Sequence, residues 1–96
     1  MSPDKFKKLE KIRKKLDKLD NSLIGLIKRR TLLVNDVLKL KEFKHQIVDN
    51  KRIKIILSQI KKKSIKNGID PKITKKIWIN MIRAYIDYER RNFKKK

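Results

Sequence analysis

The chain has no cysteine, two glycines, two prolines and one histidine, and only 10 of its 96 residues are Asp or Glu. Each scarcity closes off a chemistry. A structural zinc site draws on several Cys and His, and a phosphate-cradling or dinucleotide loop needs clustered Gly. A His-dependent triad would have to run through His45 alone. No cofactor or metal is therefore expected, which leaves charge and shape as the tools. The first eight residues are polar and charged, with no apolar signal core, and no run approaches membrane-spanning length. A cytoplasmic protein is expected, and the missing cysteines agree with that location. At this length a single domain over 1–96 is expected, its ends (1–5 and 94–96) frayed. A lone monomer of this size buries only about 60 to 65% of its unfolded surface.

What is abundant is positive charge: 30 Lys or Arg give a formal net charge of +20. A basic helical module that binds nucleic acid or a partner protein is one reading. However, Lys outnumbers Arg 23 to 7 and comes with 15 Ile and 6 Asn. That is the bias an AT-rich coding sequence leaves on a tolerant surface. Specific polyanion readers lean on Arg and stacking aromatics, and aromatics are 6% here. Nucleic acid is therefore disfavoured as the partner, and the seven Arg carry more information than the Lys.

The apolar pattern is helical. From Phe6 to about Lys41 no Pro intervenes, and Leu9, Ile12, Leu16, Leu19, Leu23, Leu26, Leu33, Val37 and Leu40 recur in steps of three and four with one gap. At about 1.5 Å per residue this helix is near 54 Å long, with Gly25 a mild weakness inside it. Residues 42–48 break the period and read as a connection. Asp49 or Asn50 caps a second helix to about Lys66, with Ile53, Ile56, Leu57 and Ile60 inward. Asn67-Gly68 supplies a left-handed stop, and Asp70-Pro71 starts a third helix that reaches about Phe93. Helices of roughly 27 and 33 Å cannot cover the whole apolar stripe of the first. A two-fold dimer is therefore expected, its long helices antiparallel and the shorter ones packed around the other subunit.

Arg30 fills the gap in the stripe, because Leu16, Leu23, Arg30 and Val37 lie seven apart. A guanidinium on a core face must snorkel to the edge, meet a carboxylate such as Asp20 or Asp36, or bind something. Lys41 lies eleven positions on and returns to nearly the same face, about 16 Å along the axis. A small dianion fits that gap better than a nucleic-acid backbone does. Arg52 sits beside the inner face of the second helix just after Asp49, and Tyr85 and Glu89 are stacked four apart on the third. Taken singly each has a bland role: Arg52 as a surface partner for a carboxylate, Tyr85 as core, Glu89 as counter-ion to Arg90 or Lys94. Together they describe a helical bundle that collects cations and one acid inside.

This arrangement resembles the small all-helical chorismate mutase family from about Leu9 to Arg90. The stretch IRKKLDKLDNSLIGLIKRRTLLVNDVLKLK is similar to that family's first helix, with an Arg seven before the Asp of LD, an Arg pair ending ten after it and a Lys eleven beyond. These are Arg13, Asp20, Arg30 and Lys41. VDNKR resembles the opening of the second helix, with Asp49 and Arg52, and NGIDPKITKKIWINMI resembles the entry to the third. The resemblance implies an all-α protomer of one long and two shorter helices in an intertwined homodimer. It also implies cofactor-free conversion of chorismate to prephenate, and a possible regulatory partner enzyme of aromatic biosynthesis.

By the same resemblance Arg13 crosses from the partner subunit to join Arg30, Lys41 and Arg52 around the substrate carboxylates and the breaking ether oxygen. Catalytic roles fall on Lys41, Glu89 and Arg30, and substrate-binding roles on these with Arg13, Asp49, Arg52 and Tyr85. Many bacterial relatives have Gln where this chain has Glu89. A carboxylate there repels the ether oxygen, so Glu89 is expected to work protonated, with activity falling as pH rises. Two positions depart from the usual pattern: Ile53 stands where mutases carry Glu, and Tyr85 where many have Ser. With the YIDYE end of the third helix they resemble isochorismate pyruvate lyases, which share the fold and give the alternative activity. A 4-amino-4-deoxychorismate mutase is a further alternative.

Overall fold

The computed structural model describes residues 1–94, so the last two lysines of the expected frayed tail lie outside the described residues. Three α-helices occur in the order α1 (Pro3–Leu40), α2 (Asn50–Lys66) and α3 (Pro71–Asn92), with a short 3-10 turn at Lys44–Gln46 between α1 and α2. Among the described residues there is no strand. By internal contacts the chain divides into two compact units, Met1–Leu33 and Val34–Lys96.

The first unit is helix alone. α1 begins three residues before the apolar pattern does, because Ser2-Pro3-Asp4 is itself a start signal. Ser2 Oγ accepts from Lys5 N at 3.3 Å, Pro3 takes the first helical position and Asp4 meets the positive helix end. Within this unit the apolar stripe is open: Ile12, Leu16, Leu19, Leu23, Leu26 and Leu33 are all more than half exposed.

The second unit is a packed set: the last turns of α1, the connection, α2 and α3. Each helix boundary has a local cause. Asp49 Oδ1 accepts from Arg52 N at 3.0 Å and starts α2. At its other end Gly68, with φ of 69°, takes the left-handed position. There Ile69 N donates to Ser64 O at 2.8 Å and Gly68 N to Ile65 O at 3.2 Å, the paired bonds of a Schellman stop. Asp70 Oδ1 then accepts from Lys72 N at 2.9 Å, with Pro71 in the first turn of α3. The connection is more ordered than its sequence suggests, since Gln46 Oε1 accepts from both Glu42 N (2.8 Å) and Phe43 N (2.9 Å).

α2 packs on α3. Their contact includes a buried hydroxyl pair, Ser64 Oγ and Thr74 Oγ1, 2.7 Å apart. Among the described residues Leu38 at the end of α1 and Ile47 in the connection are the buried apolar residues, and Ile53, Ile56, Trp78, Met81 and Ile82 are half-buried. Among the described residues no helix is long and apolar enough to cross a membrane, and no cluster of His, Asp or Glu could hold a metal ion.

Candidate active site

Lys41 follows the last residue of α1, and Glu89 lies in the closing turns of α3. Packing of these two elements joins them: Lys41 Nζ donates to Glu89 Oε1 at 2.9 Å and lies 3.5 Å from Ile47 O. The ammonium is therefore held from two sides by groups of the second unit. The pair is largely withdrawn from water, with side chains 17% and 8% exposed. Glu89 is thus no surface counter-ion to its sequence neighbours Arg90 or Lys94; its partner comes from the residue just after α1. Likewise Lys41 is not another solvated lysine.

Tyr85 is half-buried one turn before Glu89, as their spacing requires. Its ring meets that of Tyr88 edge-on, with centroids 6.5 Å apart and planes at 90°. Asp49 and Arg52 come together at the start of α2 through the capping bond, and both are exposed. The Asp49 carboxylate therefore already serves the helix terminus. The two remaining arginines belong to the first unit. Arg30 is half-buried on α1, as its place in the apolar stripe suggests. Arg13 is exposed and pairs with Glu10, one turn away, at 2.8 Å.

Two residues that the sequence pattern did not single out form a second bond between the same two helices. Tyr88 Oη donates to Asn35 Oδ1 at 2.7 Å, joining α3 to the penultimate turn of α1. The signal available for them was slight: Tyr88 is the second Tyr of YIDYE, and Asn35 is one polar residue among several on α1. Elsewhere in the second unit a groove of about 500 Å³ runs between α2 and α3, with Lys54, Leu57, Lys61, Pro71 and Lys75 among its lining residues. None of the candidate site residues lines it.

The chemistry available at Lys41 and Glu89 is donation toward an oxygen that gains negative charge. A buried ammonium already oriented by two acceptors does not have to reorganise when that charge appears. Comparison with known proteins gives the family. A model of the chorismate mutase type II family matches residues 12–90. The chain is 37% identical over 74 residues to a protein named chorismate mutase from Methanocaldococcus jannaschii, covering 76% of this chain and 75% of the relative. These matches do not favour the lyase alternative or the basic binding module. No solved structure matches the chain.

Proposed function

The chain belongs to the chorismate mutase type II family, and from that premise we propose how it turns chorismate into prephenate. The reaction is an intramolecular rearrangement in which the ether C–O bond breaks as a new C–C bond forms. Atoms and charge balance within one molecule, without nucleophile or cofactor. The protein has two tasks: to hold a flexible dianion in a compact reactive conformation, and to stabilise the negative charge that gathers on the ether oxygen.

The observation that carries this reading is the withdrawn Lys41–Glu89 pair. Lys41 donates to the ether oxygen as the bond breaks. Glu89 accepts in the resting pair, yet it faces the same oxygen during the reaction. A bare carboxylate there opposes the developing charge, so the part of Glu89 is to hold Lys41 in aim through their bond. Arg52, at the start of α2, supplies a guanidinium for a substrate carboxylate, Tyr85 contacts the substrate one turn before Glu89, and Asp49 contributes by holding that terminus. Arg30 and Arg13 enter on family resemblance, Arg30 as a carboxylate clamp in its own subunit and Arg13 as a donor from a second copy.

The assembly we propose is a homodimer. The open apolar stripe of α1 supports it, since a contiguous exposed apolar surface of this length marks a contact. The antiparallel two-fold arrangement lets each long helix meet the partner's stripe. The excess lysines form a solvated surface that draws the anionic substrate inward.

The test is direct. Purified protein is given chorismate, with isochorismate as a parallel control, and prephenate, salicylate and pyruvate are followed. Formation of prephenate from chorismate supports the reading; inactivity toward chorismate overturns it.

A further inference from the structure

The mechanism leaves the Tyr88–Asn35 bond unused, although Tyr88 is the chain neighbour of Glu89 and the bond ties the same two helices. Asn35, Leu38 and Lys41 are spaced three apart along the closing turns of α1. Each meets its surroundings differently: Asn35 accepts from Tyr88, Leu38 is buried and Lys41 pairs with Glu89. On α3, Tyr88 and Glu89 are consecutive. An apolar contact such as that of Leu38 is non-directional and tolerates sliding. A hydrogen bond of 2.7 Å does not, because it weakens quickly with distance and angle. Moreover, Lys41 lies beyond the last helical residue, Leu40, and its N–H bonds back to Leu38 O at 3.2 Å. Its position therefore depends on how firmly the end of α1 is fixed to α3. Tyr88 also sets its ring edge-on against Tyr85, one turn before Glu89.

We propose that Tyr88, anchored by Asn35, is a positioning residue that fixes the register of α3 against the end of α1, and so the aim of Lys41 and Glu89. It touches no reacting atom. Its effect passes through the pair, where misplacement of about 1 Å costs up to about a hundredfold in rate. The proposal rests on the reading of Lys41, held by Glu89, as donor to the ether oxygen.

The test uses the full chain and steady-state kinetics on chorismate, with thermal melting on the same samples. Tyr88→Phe keeps the ring and removes the hydroxyl. It is expected to lower kcat about tenfold with KM within about twofold. Asn35→Leu removes the acceptor and should do the same, whereas Asn35→Asp keeps an acceptor and should keep kcat within about twofold. The double variant Tyr88→Phe/Asn35→Leu should be no slower than either single one, as expected for two partners in one bond. Unchanged kcat in folded Tyr88→Phe, with only the melting temperature lowered, overturns the proposal; so does an equal loss in Asn35→Asp, or losses that multiply in the double variant. Lys41→Met separates this outcome from the reading beneath it. Full activity in Lys41→Met defeats the site itself, whereas a collapse there beside normal Tyr88→Phe defeats only the positioning role.

Discussion

Lys41 and Glu89 stand 48 positions apart in sequence and meet at 2.9 Å, with Glu89 among the most buried side chains of the described residues. Such a pair is a poor device for stability, since removing two charges from water offsets most of their attraction. It is a good device for catalysis, because an oriented ammonium with little water around it can answer charge that appears nearby.

Replacing Lys41 by Met should therefore act twice. kcat for chorismate should drop by about a hundredfold or more, the cost of one lost donor to an oxyanion. Folding stability should fall by about 2 kcal/mol, because Glu89 is left buried without its partner. Stopped or steady-state kinetics and urea unfolding read the two effects separately.

Glu89→Gln tests what position 89 does. The amide still accepts from Lys41 but carries no charge to oppose the ether oxygen, so kcat for chorismate should be kept, whereas Glu89→Leu, which leaves Lys41 without that partner, should lower it about tenfold or more. Equal activity in the two variants would remove Glu89 from the site.

The proposed crossing of Arg13 predicts complementation. Arg13→Ala and Arg30→Ala homodimers should each be nearly inactive while remaining dimeric. Mixed and allowed to exchange subunits, they should regain activity, because each heterodimer contains one site with both arginines intact. If both arginines serve the same subunit's site, every site in the mixture lacks one and no activity returns.

The proposed dimer rests on the open stripe of α1. Sedimentation should give twice the 11.6 kDa chain mass, and Leu23→Glu, placing a charge among exposed Leu16, Leu19 and Leu26, should shift it to monomer with loss of activity. A monomeric wild type at micromolar concentration would contradict the assembly.

Away from the site, Thr74→Val should cost about 1 to 2 kcal/mol by removing half of the buried Ser64–Thr74 pair. KM for chorismate should not change, since neither hydroxyl approaches the candidate site residues.

Helix punctuation was legible wherever its cause is local. Asp49 before α2, Asn67-Gly68 after it and Asp70-Pro71 before α3 act on backbone groups two to five residues away, so their residue types suffice. The start of α1 was placed too late because Ser2, Pro3 and Asp4 carry no apolar signal, although their capping chemistry is plain once sought. The turn at Lys44–Gln46 was hidden because its order comes from the Gln46 side chain, which serves two backbone donors at once. Arg30 could be singled out by the stripe it interrupts, which is a property of one helix.

Spacing and capping along the chain thus determined three helices and, apart from the start of α1, their limits. Partnership was decided only by packing. Sequence proximity suggested Arg90 or Lys94 for Glu89, yet the folded chain gives it Lys41, and gives Tyr88 the distant Asn35. The reason is physical: both bonds bridge about fifty residues and exist only where α3 lies against the last turns of α1. The side chains themselves say only that they can donate or accept.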